Sequence, residues 1–82
     1  MPDVTLLYFA QIGELLRLER ETCSLPSPTS ASDILASLAA RHPQVAALLP
    51  GCRVAVDSEY RSGALQLFGG EEVAVIPPVA GG

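Results

Sequence analysis

Two short apolar runs, one near each end of the chain, constrain the fold more than any other feature. Val4–Phe9 and Glu71–Ile76 are rich in β-branched and aromatic residues, so each predicts a β-strand. In the first run, alternate side chains divide into two sets: Val4, Leu6 and Tyr8 against Thr5, Leu7 and Phe9. Both sets are mostly apolar, so both faces of this strand need a cover. We therefore predict that the first and last strands lie side by side at the centre of a sheet.

The same alternation predicts which side chains face a covering helix. On the last strand Val73 and Val75 should face the helix, which leaves Ala74 and Ile76 on the open side of the sheet. The first strand should contribute Leu7 and Phe9 to that open side, because Thr5 shares their parity and tolerates exposure. An apolar open side predicts a surface that a partner covers.

An edge strand should follow the first strand. Gln11–Glu14 supplies a turn with Gly13 at the break. Leu18–Leu25 then alternates charged and uncharged residues, as an exposed antiparallel edge strand does. These two segments predict a first hairpin.

Ala31–Arg41 is the only segment with a good helical pattern. Ser30 and Asp33 form a start signal, with the carboxylate in the first turn, where the helix dipole favours it. One apolar stripe runs along the segment: Ile34, Leu35, Leu38 and Ala39. Pro43 stops the helix, so His42 is interpreted as a solvated C-terminal residue rather than a ligand or a base.

The second half of the chain adds two strands. Val45–Leu49 could form a short helical turn, and Arg53–Asp57 is a strand. Tyr60–Phe68 is irregular, and Gly69–Gly70 turns the chain into the last strand. The order strand–strand–helix–strand–strand predicts an α+β fold. One main helix covers one face of a mixed four- to five-stranded sheet, as in the β-grasp (ubiquitin-like) arrangement. We expect residues 1–82 to form a single domain of this kind.

The last six residues, 77–82, predict an extended tail. Pro77 and Pro78 fix φ and favour a path away from the body, and Gly81 and Gly82 could enter a passage too narrow for any Cβ. Six extended residues reach roughly 20 Å. A terminal carboxylate, with a pKa of about 3.3–3.7, could attack the α-phosphate of ATP and then accept sulfur or an amine. The alternative interpretation is a frayed end.

Composition excludes several classes of partner and site. The net charge is −4 and all five basic residues are Arg, which disfavours binding to nucleic acid or to an anionic membrane. No apolar run approaches the ~18 residues of a membrane span. Cys23 and Cys52 match no metal-binding spacing, so we expect no metal and two reduced thiols in a cytoplasmic protein. One histidine and no phosphate loop make a stand-alone enzyme a poor interpretation.

Three segments carry a resemblance that covers essentially the whole chain. They are YFAQIGE at 8–14, VAVD at 54–57 and GEEVAVIPPVAGG at 70–82. With these segments the chain resembles the MoaD-type small subunit of molybdopterin synthase, a ubiquitin-like sulfur carrier family. The family often has Arg or Lys in place of Gly13 and Asn in place of Asp57. The first difference removes a possible partner contact, and the second leaves open whether a turn bond specific to an amide can form.

The resemblance implies a carrier cycle centred on Gly82. An adenylating enzyme related to ubiquitin-activating enzymes would use ATP to adenylate Gly82, and a sulfur donor protein would convert it to a thiocarboxylate. The large subunit of molybdopterin synthase would then use the sulfur on a pyranopterin precursor. Gly81 would give the terminus access to narrow channels. The residues expected to contact partners are Phe9, Tyr60, Ile76, Pro77, Pro78, Val79 and Ala80. The chain itself would bind no cofactor.

Two alternatives share the same tail chemistry. A carrier of this architecture could serve thiamine, cysteine or tRNA thiolation pathways. A ubiquitin-like protein modifier would instead attach Gly82 to lysines of other proteins. The chain has no Lys, so it cannot form such a bond with a lysine of a second copy of itself.

Overall fold

A computed structural model describes residues 1–78, and the predicted tail residues 79–82 lie outside the described part. The strands are β1 (Asp3–Tyr8), β2 (Arg20–Ser24), β3 (Thr29–Ser30), β4 (Arg53–Val56), β5 (Glu59–Arg61), β6 (Ala64–Leu65) and β7 (Glu72–Ile76). The helices are α1 (Ala10–Leu16), α2 (Ala31–Arg41) and a 3₁₀ helix over Pro43–Gly51. The main sheet has five strands in the order β2-β1-β7-β4-β5, and β3 pairs with β6 separately.

The two apolar runs lie side by side in the middle of the sheet, as predicted. β1 and β7 are parallel neighbours, with Leu6 opposite Val73, and the other pairs of the main sheet are antiparallel. β2 lies at one edge, where its alternation of charged residues placed it. This mixed five-stranded sheet with one main helix confirms the α+β, β-grasp prediction.

Helix α2 has the predicted bounds and the predicted cap. The Asp33 backbone N–H donates to Ser30 Oγ over 3.0 Å, which satisfies one free donor at the start of the helix. Ile34 and Leu38 of its apolar stripe are buried against the inner face of the sheet. The same face supplies the side chains that complete the core: Val4, Leu6, Tyr8, Val54, Val73 and Val75.

The turn predicted at Gln11–Glu14 is wrong, because this segment lies within α1. Burial of Ile12, which is 0% exposed, supplies the apolar contact that a helix this short needs. Arg17 ends the helix in the left-handed conformation, with φ 54°. Glycine is favoured at position 13 because a Cβ there would lie only 3.0 Å from the Tyr8 carbonyl oxygen, closer than side chains normally approach. Ala31–Arg41 is therefore the main helix but not the only one.

The prediction that Tyr60–Phe68 is irregular is partly wrong, because the segment contains most of β5 and all of β6. Asp57 and Ser58 both have positive φ, 47° and 73°, and form a tight turn that returns the chain as β5. The Asp57 carboxylate accepts a hydrogen bond from the Glu72 backbone N–H over 2.9 Å. An amide is therefore not required for the bond that joins this turn to β7. Leu65 and Leu67 of this segment are buried in the core.

Candidate functional site

The open face of the sheet carries an apolar surface that no element among residues 1–78 covers. We define the open-face patch as Leu7, Phe9, Ala55, Tyr60, Ala74 and Ile76, which line a shallow cavity of about 240 Å³ together with Ser58 and Glu72. Phe9 and Tyr60 are 46% and 56% exposed. Aromatic side chains are usually more buried than this. The patch therefore presents two exposed aromatic rings beside the buried alanines Ala55 and Ala74, which makes it a candidate interaction surface.

Strand register brings the patch together. Leu7 lies opposite Ala74 on the β1–β7 pair, and Ala55 lies opposite both Ala74 and Tyr60. Partners in a register share a face, so these residues stand together on the side away from α2. Phe9 follows β1 immediately, and its backbone is extended (φ −111°, ψ 153°), which continues the alternation of the strand.

One rim of the patch is held by a cation–π contact. The guanidinium carbon of Arg53 lies 4.1 Å from the centroid of the Tyr60 ring. Such contacts at exposed sites contribute about 0.5–1 kcal/mol, enough to bias an edge residue towards one orientation. Arg53 lies opposite Ile76 in the β4–β7 pair, so this contact also lies at the end of the sheet from which the tail begins.

The tail begins beside the patch. Ile76 is both the last residue of β7 and a lining residue of the cavity, and the half-buried Pro77 and exposed Pro78 follow it. A protein bound over the patch would therefore meet the first tail residues at its own edge. Val79, Ala80, Gly81 and Gly82 lie outside the described residues.

A polar cluster on the inner side of the sheet has a structural role. Glu21 accepts hydrogen bonds from the Tyr8 hydroxyl and, over 3.0 Å, from Arg41 Nη2, and its Oε2 lies 3.0 Å from His42 Nε2. The Tyr8 and His42 rings meet edge to face, with centroids 6.4 Å apart. These contacts join the end of α2 to strands β1 and β2. His42 is therefore not the solvated residue that the sequence predicted, since 22% of its side chain is exposed.

The cluster shifts two pKa values in opposite directions. Burial raises the pKa of Tyr8, and its hydrogen bond to the Glu21 carboxylate raises it further, because both favour the neutral phenol. Burial alone would raise the pKa of Glu21. The hydrogen bonds from Tyr8 and His42 and the charge of Arg41 outweigh burial, so the pKa of Glu21 lies below its usual value. Tyr8 stays protonated and Glu21 stays ionised at neutral pH.

The two cysteines lie in different parts of the fold. Cys23 lies on β2 and Cys52 lies directly after the 3₁₀ helix. Both are free thiols, and burial raises the pKa of the Cys52 thiol. Among residues 1–78, no three His, Cys, Asp or Glu side chains come together as metal ligands would. Within that same range, no helix has the length and apolar character needed to cross a membrane.

The structure brings together the three body residues that the sequence analysis selected. Phe9, Tyr60 and Ile76 line one cavity, although they come from three separate segments. Their role in binding a partner stays a prediction. Sequence reasoning missed Ala55 and Arg53, because it is the β4–β5 hairpin that places Tyr60 opposite Ala55 and in contact with Arg53. The positive-φ pair at 57–58 has no glycine to signal that hairpin.

Comparison with known proteins identifies relatives of this chain. A family model described as "ThiS family" matches residues 6–82. The chain belongs to the ThiS family. Two curated relatives are named "Molybdopterin synthase sulfur carrier subunit". The Homo sapiens protein is 37% identical over 98% of this chain and 94% of its own length. The Chlamydomonas reinhardtii protein is 33% identical over 98% of this chain and 99% of its own length.

A solved structure of another protein has the same fold as this ThiS-family chain. A chain of the "Protein-protein complex of subunit 1 and 2 of Molybdopterin-converting factor from Helicobacter pylori 26695" superposes with a TM-score of 0.70. The match covers 98% of this chain and 99% of that chain, at 17% sequence identity. At that identity the likeness supports the fold, and the complex itself is a property of the Helicobacter pylori proteins.

Proposed function

We propose that this ThiS-family protein is the sulfur carrier subunit of a molybdopterin synthase. The observation that carries the proposal is the match to relatives with that name over nearly the full length of both chains. The open-face patch supports it, because a carrier must dock on proteins that perform the chemistry on its tail. Among residues 1–78, no three His, Cys, Asp or Glu side chains converge as metal ligands would, and the open-face patch is lined mainly by apolar side chains.

The proposed chemistry takes place at Gly82. A carboxylate oxygen attacks the α-phosphorus of ATP, pyrophosphate leaves, and an acyl-adenylate forms on the activating enzyme. Sulfur at the oxidation level of sulfide then attacks the carbonyl carbon and displaces AMP, which leaves a thiocarboxylate. ATP is bound by the activating enzyme, and the carrier itself holds no cofactor. We expect this cycle to run in the cytoplasm, where thiols remain reduced.

We propose that the large synthase subunit covers the open-face patch and receives the tail in its active site. Phe9, Tyr60 and Ile76 are the apolar anchors of this interface, and Gly81 gives the terminus passage through a narrow channel. Pro77, Pro78, Val79 and Ala80 bridge the patch and the reactive end. The activating enzyme and the sulfur donor protein would engage the same tail in turn.

The test is the intact mass of the full chain purified from cells that contain the activating enzyme and the sulfur donor. We expect a species heavier by the difference between sulfur and oxygen, located at Gly82 by fragmentation. A variant that lacks Gly82 is the matched control and should stay at its unmodified mass. A chain that never carries sulfur under these conditions would contradict the proposal.

The same material separates the alternatives. Recovery of Gly82 joined to lysines of other proteins would identify a protein modifier. Sulfur transfer to a thiamine, cysteine or tRNA pathway enzyme, with none to a molybdopterin synthase large subunit, would identify a carrier for another pathway.

A further inference from the structure

We infer that Gly51 is a positioning residue that sets the direction in which the tail leaves the body, an inference that rests on the proposed carrier function. Gly51 is the last residue of the 3₁₀ helix, two residues before Arg53. Arg53 in turn lies opposite Ile76, the last residue of β7. The end of the 3₁₀ helix is therefore next to the point where the tail begins.

Neither backbone geometry nor core packing explains a glycine at this position. Gly63, Gly69 and Gly70 have positive φ, but Gly51 does not, so other residues could adopt its backbone conformation. Gly51 is also exposed, so no core side chain competes for its space. The atoms nearest to a side chain at position 51 belong instead to Pro78.

Pro78 occupies the space that a side chain at position 51 would need. A Cβ on Gly51 would lie 3.2 Å from Pro78 Cγ and 3.5 Å from Pro78 Cδ, so the proline would have to shift by a few tenths of an ångström. The pyrrolidine ring is bonded to its own backbone nitrogen and cannot rotate away like an open side chain. Pro77 is restricted as well, because it precedes a proline. A methyl group at position 51 would therefore displace the backbone of the tail.

A small displacement at Pro78 matters because the reactive group is four residues further along. Those residues span up to about 14 Å when extended, so a tilt of about 4° at Pro78 would move the end of an extended tail by about 1 Å. Misplacement of reacting atoms by about 1 Å can cost as much as ~100-fold in rate. The contact between Gly51 and Pro78 thus sets the direction in which the terminus extends from the docked body.

The experiment uses the sulfur-loaded full chain and a molybdopterin synthase large subunit. We measure the dissociation constant of the complex and the rate of sulfur transfer in a single turnover. For Gly51→Ala we expect a dissociation constant within about twofold of the parent and a transfer rate lower by roughly tenfold. Ala47→Ser, which adds one atom to an exposed residue of the same 3₁₀ helix, is the matched control and should leave both unchanged.

A second background identifies the contact responsible. Pro78→Ala removes Cγ and Cδ, so adding Gly51→Ala to it should change the rate by less than about twofold. Three results would overturn this inference but leave the proposed function standing. They are a parental rate for Gly51→Ala, equal slowing in both backgrounds, or a fall in Tm large enough to explain the loss. A parent chain that accepts no sulfur would overturn the proposed function and this inference with it.

Discussion

Glu21 is the residue on which the inner polar cluster depends. Its two carboxylate oxygens contact Tyr8, Arg41 and His42, which belong to β1 or to the end of α2. Only 20% of its side chain is exposed, so its charge is stabilised by these partners more than by water. The Glu21 carboxylate therefore couples strand β2 to the end of the main helix.

We predict that Glu21→Gln destabilises the fold in a manner that depends on pH. The folded-state pKa of Glu21 is lowered, so its contribution is complete above the unfolded pKa of about 4.3 and is lost as pH falls through the folded pKa. With the partly exposed Arg41 discounted for screening, we expect a loss of roughly 1–2 kcal/mol at pH 7. Urea unfolding of parent and variant from pH 7 to pH 2 measures it, and the difference should shrink towards zero at the acid end.

Glu19→Gln is the control for that series. Glu19 is an exposed carboxylate on the segment just before β2, so its replacement should change the free energy of unfolding by less than about 0.5 kcal/mol. A Glu21→Gln penalty that stays constant across the pH range would show that packing, and not charge, explains the loss.

The two cysteines give a second prediction at the scale of single residues. Burial raises the pKa of the Cys52 thiol, which leaves it protonated and a weak nucleophile at neutral pH. Cys23 accepts from Arg41 Nη1 over 2.7 Å and packs beside the core. We predict that the double variant Cys23→Ala, Cys52→Ala loses roughly 1 kcal/mol per site yet forms the thiocarboxylate normally. Intact mass and thermal unfolding measure both, and a folded variant without sulfur loading would contradict the prediction.

At the scale of elements, β1, β4, β5 and β7 together present the open-face patch. Phe9 and Ile76 contribute apolar surface to the cavity but are not among the buried core residues. Truncating such anchors in an interface centre costs about 2 kcal/mol or more of binding energy, whereas the isolated domain loses little.

We therefore predict that Phe9→Ala and Ile76→Ala each weaken binding to the large synthase subunit by at least about tenfold, a loss near 1.4 kcal/mol or more. Their free energies of unfolding should stay within about 1 kcal/mol of the parent. Calorimetric titration and urea unfolding give the two numbers. Leu15→Ala is a control, since Leu15 is 53% exposed on α1 and does not line the cavity. Equal losses of binding in all three variants would contradict the assignment.

The elements also show where sequence reasoning succeeds and where it stops. The central strands and α2 were predictable because their apolar periodicity and the Ser30 cap are local signals. Helix α1 was not predictable, since Gly13 predicts a turn and only the burial of Ile12 in the folded core favours a helix. The pairing of His42 depends on Glu21, which is 21 residues away and adjacent only after β2 joins the sheet. The open-face patch was predictable by parity on β1 and β7. The place of Ala55 in it required the β4–β5 and β4–β7 registers, and the contact of Arg53 with Tyr60 required the β4–β5 hairpin.

At the scale of the whole molecule, the proposed function divides the chain into a folded body that docks and a terminus that carries sulfur. The patch lies on one face, the inner polar cluster is on the other, and the tail starts beside the patch at Ile76. The proposed function thus assigns docking and chemistry to different parts of the chain. It should therefore be possible to change the tail without altering stability, and to alter stability without changing the tail.

The tail variants test this separation most directly. Adding one residue after Gly82 moves the carboxylate by about 3.5 Å, and deleting Gly82 withdraws it by the same distance. Gly81→Ala keeps the length and adds only a Cβ, so it tests the narrow channel by itself. We predict that extension and deletion abolish sulfur loading and pterin conversion, and that Gly81→Ala slows both severely, because reacting groups must be placed to within about 1 Å. All three variants should unfold at the parental Tm, which a thermal melt checks. If a chain extended by one residue, and shown by intact mass to be unprocessed, still transfers sulfur at the parental rate, the terminal carboxylate is not the carrier group.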